Sequence, residues 1–338
     1  MTNETKQKKK HGPAKVALIV LTSLLGLFLV AGLVIGLVVN NMFSSMKSFG
    51  DPFSEISDRP TRSQSAPGGG ETGEQPVNFL IMGSDSRVSA GDPNAWEAGA
   101  QRTDALMLAQ ISGDRQSVTV MSIPRDSWVD IPGHGQAKIN AAFSFGGPAL
   151  TIQTVEQLTG VYIDHIAIVD FTSFTKLTDI VGGVEIKTSD GTVQLNGEQA
   201  LKFVRERKNL PGGDFDRVRR QQAWVSAVLA KIATPEVLSS PSNLLSIFTS
   251  MKDYIAVDSK LGVTNAVSLA NSMRGLRNIT LLTAPYNGTG ESEDGQSIVL
   301  LDEATLTDVS KAFQNDSIAS WVEINSNKVE TLNSRPVN

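Results

Sequence analysis

Residues 104–123 read DALMLAQISGDRQSVTVMSI. Two apolar runs, Asp104–Ser112 and Ser117–Ile123, flank the turn signal Gly113-Asp114-Arg115. Both runs have strand length, and together they predict a hairpin. Working outward, Val77–Met82 (VNFLIM) predicts a strand that stops at Gly83. Downstream, Asn140–Gly160 reads as helical with a break at Gly146-Gly147-Pro148. His165–Val169 reads as a strand, Phe171–Ile180 as a helix, and Val184–Ile186 as a strand after Gly182-Gly183. Helices are expected at Gly197–Val204, Arg217–Ala233, 236–251 and 261–274. Strands follow at Ile279–Thr283 and Ser297–Leu300, then a closing helix at Glu303–Phe313. Residues 322–338 read as a frayed end. Hairpins mixed with crossover helices predict an α/β fold, a three-layer α-β-α sandwich around a mixed central sheet.

The 338 residues contain no cysteine, which excludes disulfides, thiolate zinc sites and cysteine nucleophiles. Three histidines, His11, His134 and His165, are too scattered for a multi-histidine metal site. Mean hydropathy is −0.07, but the apolar residues are unevenly spread. Val16–Val39 (VALIVLTSLLGLFLVAGLVIGLVV) is uncharged and long enough for a membrane helix. Lys6, Lys8, Lys9, Lys10 and Lys15 precede it, so the N-terminus (1–15) is expected in the cytoplasm and the remainder outside. No small-x-small cleavage site follows at Asn40-Asn41-Met42, so the helix reads as a retained signal-anchor. Residues 1–41 carry five lysines and one glutamate, so the formal net charge of −5 leaves −9 on the exported body. Such a body is a poor binder of nucleic acid. Residues 40–76 contain Ala66-Pro67-Gly68-Gly69-Gly70 and read as a flexible tether. A globular domain is expected over 77–315, with a C-terminal tail at 316–338.

Charged residues cluster at element ends: Gly83-Ser84-Asp85-Ser86-Arg87, Arg102-Thr103-Asp104, Pro124-Arg125-Asp126, Arg205-Glu206-Arg207 and Asp214–Gln222 (DFDRVRRQQ). Arg217, Arg220 and Gln221 stand at i, i+3 and i+4, on one helix face. Placed in a first turn, arginines oppose the helix dipole, and an anionic ligand would give a reason for them. Arg205 and Arg207 point the same way if their segment is extended. Guanidinium forks grip phosphate oxygens in pairs, and several around one site suit a diphosphate. Asp85 and Asp104, without histidine partners, suit a hard divalent ion such as Mg²⁺ shared with phosphate oxygens. These parts describe phosphoryl transfer, with a carboxylate available to take a proton from an attacking hydroxyl.

Seven motifs in order then resemble the LytR-CpsA-Psr family of bacterial envelope proteins. They are Gly83–Arg87 (GSDSR), Arg102–Met107 (RTDALM), Ser122–Asp126 (SIPRD), Lys138–Ala142 (KINAA), Leu195–Leu201 (LNGEQAL), Val204–Arg207 (VRER) and Asp214–Gln222. The resemblance covers the basic N-terminus, membrane helix, tether and about 77–313. It implies transfer of a glycopolymer from a polyprenyl-pyrophosphate carrier to a sugar hydroxyl of peptidoglycan, with release of polyprenyl phosphate. It also implies a cell-membrane location in a Gram-positive type of envelope. By motif, Asp85 and Asp104 would bind Mg²⁺ (or Mn²⁺). Arg102, Arg125, Arg205, Arg207, Arg217 and Gln221 would hold the pyrophosphate, with Arg87, Arg220 and Asp214 in support. Asp104 or Asp126 would serve as base. The family also implies an apolar tunnel for the prenyl chain between sheet and helices.

Two stretches depart from the family. Residues 88–101 (VSAGDPNAWEAGAQ) are long for a link and are expected to loop over the site. Asp216 stands where a small residue, often glycine, is expected, and reads as weakening anion affinity or pairing with Arg219. Other readings are a polyprenyl-pyrophosphate hydrolase, a non-catalytic binder of lipid-linked sugars and a transcription regulator. The exported side, the charge of the body and the lack of a helix-turn-helix oppose the last. The resemblance implies a polymer of the teichoic acid, capsular polysaccharide or arabinogalactan type.

Overall fold

The computed structural model describes residues 50–62, 74–84, 103–206, 210–251 and 254–338. The chain runs β1 (Val77–Ser84), β2 (Thr103–Ile111), β3 (Ser117–Ser122), β4 (Trp128–Ile131), β5 (Gly135–Lys138), α1 (Ala141–Thr159), β6 (His165–Asp170), α2 (Phe171–Ile180), β7 (Val184–Thr188) and β8 (Gly191–Leu195). It continues with α3 (Gly197–Arg205), α4 (Asp214–Ile232), α5 (Pro235–Leu238), α6 (Pro241–Met251), β9 (Ala256–Val257), α7 (Val263–Ser272), β10 (Asn278–Thr283), β11 (Tyr286–Glu291), β12 (Ser297–Leu301), α8 (Glu303–Gln314) and α9 (Ile318–Ile324).

Six strands form the central sheet in the order β10-β3-β2-β1-β6-β9. The hairpin expected at 104–123 is its middle: β2 and β3 pair antiparallel from Met107↔Ser122 to Ile111↔Val118. β2 is also antiparallel to β1, β1 is parallel to β6, and β3 is parallel to β10. β1, β3, β6 and β10 therefore share one direction, and their C-terminal ends lie at one edge with the start of β2. That edge is where open α/β sheets take ligands.

Side chains alternate across the sheet. Leu80 and Met82 of β1, Leu106 and Leu108 of β2 and Met121 of β3 enter one core with α1, α8 and α9. Their neighbours Phe79, Ile81, Met107, Ala109, Val118 and Val120 face the other layer, where Val225 of α4 and Leu269 of α7 pack. Helices cover both faces, as the three-layer expectation requires. α1 keeps the expected break, with non-helical backbone at Gly146 and Gly147.

Other expectations are corrected. The expected strand at Val184–Ile186 is present as β7, but its partner β8, the hairpin β4–β5 and strand β11 were not expected, because their sequences are short and polar or contain glycine. The expected helix at 236–251 is two, α5 and α6, because Pro241 starts a new helix after Ser239-Ser240. Part of the expected tether is folded: Phe53 and Ile56 are buried in the main core, and Arg59 is bonded to Glu156 at 2.6 Å. The end expected to fray is packed. Ile318 and Val322 of α9 bury in the main core together with Val329, and Val337 joins a smaller cluster with Val184, Ile186 and Ala223.

Among the described residues no helix is long and apolar enough to cross a membrane. The run 16–39, assigned above to a membrane helix, lies outside them, as does the 88–101 stretch.

Candidate active site at the sheet edge

A cavity of about 430 Å³ opens between the sheet and helices α2, α3 and α4. β1 contributes Ile81 and Gly83, β2 contributes Asp104, Ala105 and Met107, and Arg125 follows β3. Val169 and Asp170 end β6, Phe171 and Phe174 come from α2, and Leu201, Val204 and Arg205 from α3. α4 supplies Arg217, Gln221, Trp224 and Val225.

Asp104 reaches this cavity through an irregularity. Gly83 pairs with Ala105 and Ser84 with Thr103, so Asp104 is the extra residue of a β-bulge. In regular alternation it would share the face of Leu106 and point into the apolar core. A bulge re-aims a side chain, which is why bulges concentrate beside functional sites. Space favours Gly83 opposite, because a Cβ there would stand 3.2 Å from the Cβ of Ala105, a tight contact.

Arg125 Nη1 donates to Asp104 Oδ1 at 2.7 Å. Its Nε is buried and finds no acceptor within hydrogen-bond distance among the described residues. The carboxylates near it are Asp126 Oδ2 at 3.6 Å and Asp214 Oδ1 at 3.9 Å. A ligand oxygen would complete that donor. Arg217 is 2% exposed and pairs with Asp214, three residues earlier on α4. Gln221 Nε2 lies 3.5 Å from the Asp104 carbonyl oxygen. Arg205 lays its guanidinium 4.2 Å from the centre of the Phe171 ring, a cation–π contact that holds it at the cavity wall.

The apolar part is equally built. Phe174 and Trp224 stack with centroids 4.1 Å apart, and Trp224 Nε1 donates to Thr178 Oγ1 at 2.9 Å. The indole thus has its polar atom satisfied while its ring lines the cavity.

α4 begins earlier than expected. Gly213, with φ +55° and ψ −121°, holds a backbone conformation that side chains resist, and the helix starts at Asp214. Its first turn carries Asp214 and Asp216, which suit the dipole, and Arg217 sits one turn in. The arginines therefore do not oppose the dipole from the first turn, contrary to the expectation above. What matters about Arg217 is its burial at the cavity. Arg205 is likewise the last residue of helix α3 and not part of an extended segment.

Of the residues expected at the site, Asp104, Arg125, Arg205, Arg217 and Gln221 come together. Asp126 does not line the cavity. Its carboxylate lies 3.5 Å from Lys138 Nζ and 3.6 Å from Arg125 Nε, so it flanks Arg125 from behind. Arg220 is turned away, donating to the carbonyl oxygens of Phe203 and Asn338 and lying 4.1 Å from the Phe203 ring centre. Asp216 pairs with Arg335, and Arg219 with Glu330, so the expected Asp216–Arg219 pair does not form. Asp85, Arg87, Arg102 and Arg207 lie outside the described residues. Sequence reasoning missed Asp170 and Phe171, although they end a strand and open a helix as the recognised segments do. It also missed Tyr286, Glu330 and Arg335, which lie far from α4 in sequence.

The chain resembles proteins with related roles. It is 34% identical over 247 residues to the "Probable cell wall biosynthesis protein LcpB" of Corynebacterium glutamicum, covering 68% of this chain and 58% of that protein. It is 31% identical over 254 residues to "Polyisoprenyl-teichoic acid--peptidoglycan teichoic acid transferase TagU" of Enterococcus faecalis, covering 72% of this chain and 80% of that one. The chain thus spans little more than half of the corynebacterial relative and most of the enterococcal one. Among solved structures, B. subtilis TagT superposes with a TM-score of 0.57 at 25% identity over 77% of this chain and 99% of that one. TagT bound to LIIa-WTA gives a TM-score of 0.58 at 26% identity, covering 76% and 96%. The model of the LytR_cpsA_psr family matches residues 43–315, and the chain belongs to that family.

Proposed function

We propose that this chain moves a glycopolymer from a polyprenyl-pyrophosphate carrier to peptidoglycan and releases polyprenyl phosphate. One observation carries the reading: a single cavity joins a cluster of arginines and carboxylates to an apolar lining. Such a cavity suits an amphiphile with a diphosphate head and a hydrocarbon chain. The TagU and TagT likenesses support the same substrate class.

In this reading Arg125, Arg205, Arg217 and Gln221 grip the pyrophosphate, with Arg87, Arg102 and Arg207 completing the grip. Ile81, Met107, Phe174, Val204, Trp224 and Val225 receive the start of the prenyl chain. An acceptor hydroxyl attacks the phosphorus that bears the polymer. The bridging P–O bond breaks, the carrier leaves as polyprenyl phosphate, and the hydroxyl proton is lost to a base or to solvent. The arginines neutralise the charge that builds on the leaving phosphate. Asp126, behind Arg125, orients that guanidinium. Asp104 faces the cavity and is the better placed of the two carboxylates for a direct role.

Among the described residues no three metal-ligating side chains cluster. A Mg²⁺ held by Asp104 and Asp85 would keep waters and share phosphate oxygens, which is the habit of that ion. When bound it would add positive charge beside the transferring phosphoryl group. In this reading the apolar run 16–39 and the lysines before it keep the N-terminus in the cytoplasm and the body outside.

The test is product analysis with a synthetic lipid-linked polymer, Mg²⁺ and peptidoglycan. Transfer yields polyprenyl phosphate together with polymer bound to peptidoglycan. A hydrolase yields free polymer phosphate with or without peptidoglycan, and a binder yields neither.

A further inference from the structure

We propose that residues 329–338 form a strap that positions Arg217 and Gln221, with Glu330 and Arg335 as its positioning residues. The proposal rests on the phosphotransferase reading for its consequence, but not for its geometry.

Consider the first two turns of α4. Asp214, Arg217 and Gln221 face the site, and the polar side chains between them are held from the other side. Asp216, 1% exposed, accepts from Arg335 Nη1 at 2.7 Å, Asn338 Nδ2 at 2.9 Å and the Gly212 amide at 2.9 Å. Arg219, also 1% exposed, donates to Glu330 Oε1 at 3.1 Å, to the carbonyls of Thr331 at 3.0 Å and Leu332 at 2.9 Å, and to that of Arg335. Arg220 donates to the carbonyl of Asn338. Phe215 stacks on Tyr286 with centroids 4.2 Å apart, and Tyr286 Oη donates to Glu330 Oε2 at 2.9 Å. Burial and that bond to Glu330 push the Tyr286 phenol up to about 12, so it stays a donor at any physiological pH.

Glu330 is the hub. It accepts from Arg219, from Arg335 Nε at 2.8 Å and from Tyr286. The strap itself is fixed to the frame at both ends. Thr283 of β10 donates its amide to Glu330 O, and Ser189 donates its amide to Val337 O.

Asp216 and Arg219 are buried while their partners Arg335 and Glu330 are only partly so, and burying a charge is costly and rarely justifies itself as stability. What these pairs supply is fixed geometry. Arg217 lies between two residues so fixed, and a small displacement of a positioning group costs rate steeply. The strap lies beyond residue 315, where the family match ends, and it engages Asp216, where a small residue was expected. The aspartate therefore serves the strap and does not compete for the anion.

The experiment uses the full chain in detergent, with Arg335→Gln, Glu330→Gln and the conservative Arg335→Lys. Two readouts are taken. Hydrogen exchange is measured over 214–221 without substrate, and kcat and KM are measured for release of polyprenyl phosphate. Both Gln variants are expected to raise exchange over 214–221 while α1 and β1 stay protected. They are expected to lower kcat roughly tenfold or more, with a smaller change in KM and recovery of most activity in Arg335→Lys. Unchanged exchange over 214–221 in both Gln variants overturns the strap, whatever the substrate. Raised exchange with unchanged kcat overturns its role in positioning. Absence of turnover in the unmodified chain counts against the phosphotransferase reading, and the exchange result still decides the strap.

Discussion

Asp104 accepts from Arg125 Nη1 at 2.7 Å because a bulge lifts the aspartate out of the alternation of β2. The pair joins the start of one strand to the loop after its neighbour. It sits where four parallel strands end, and Arg125 Nε still needs an acceptor among the described residues.

That geometry makes Arg125 a test of charge shape as well as charge. Arg125→Ala is expected to lower polyprenyl phosphate release about 10²-fold or more. Arg125→Lys should recover little, because a compact ammonium lacks the planar fork that bonds Asp104 through Nη1 while presenting Nε to a ligand oxygen. Near-normal turnover in the lysine variant would show that the fork is unnecessary.

The apolar lining should set chain-length preference. Leu201→Trp adds bulk where α3 meets the cavity. It is expected to raise KM for long-chain polyprenyl-pyrophosphate substrates while sparing short-chain analogues. An equal loss for both would mean that the prenyl chain lies elsewhere.

The folded piece before the domain can be weighed by stability. Glu156, 1% exposed, is held by Arg59 at 2.6 Å, and Arg59 also donates to Tyr162 Oη at 2.8 Å. Arg59→Ala leaves a buried carboxylate unpaired and is expected to cost about 3 kcal/mol in chemical unfolding. A change below about 0.5 kcal/mol, the range of ordinary surface substitutions, would show that the segment is not docked.

Asp216 gives a prediction in pH. Burial pushes its pKa up, but the hydrogen bonds from Asn338, Gly212 and Arg335 outweigh this and hold it below the usual carboxylate value. A depressed folded value means stability that is present above the unfolded pKa and lost as pH falls through the folded one. The stability gap between the natural chain and Asp216→Asn should therefore be widest near neutral pH and shrink in acid. A gap that stayed constant down to pH 3 would contradict this.

The central hairpin, the α1 break and α2 were legible because apolar periodicity and glycine punctuation agree there. So was most of the site, since Asp104, Arg125, Arg205, Arg217 and Gln221 lie in local motifs. Three things were hidden. The bulge that aims Asp104 is a matter of register, and no single strand encodes it. The part played by Arg220 depends on carbonyls of Phe203 and Asn338, far along the chain. The ordered end looked polar and weakly periodic because its hold on α4 comes from ion pairs and hydrogen bonds to the buried Asp216 and Arg219 rather than from an apolar stripe.

The most direct test of the account follows the polymer and the carrier together. The full chain is incubated with Mg²⁺, peptidoglycan and a lipid-linked polymer labelled in both halves. The account predicts one polyprenyl phosphate released for each polymer joined to peptidoglycan through a phosphodiester, and loss of both in Arg217→Ala. Carrier release without peptidoglycan labelling, or full coupling in Arg217→Ala, would contradict it.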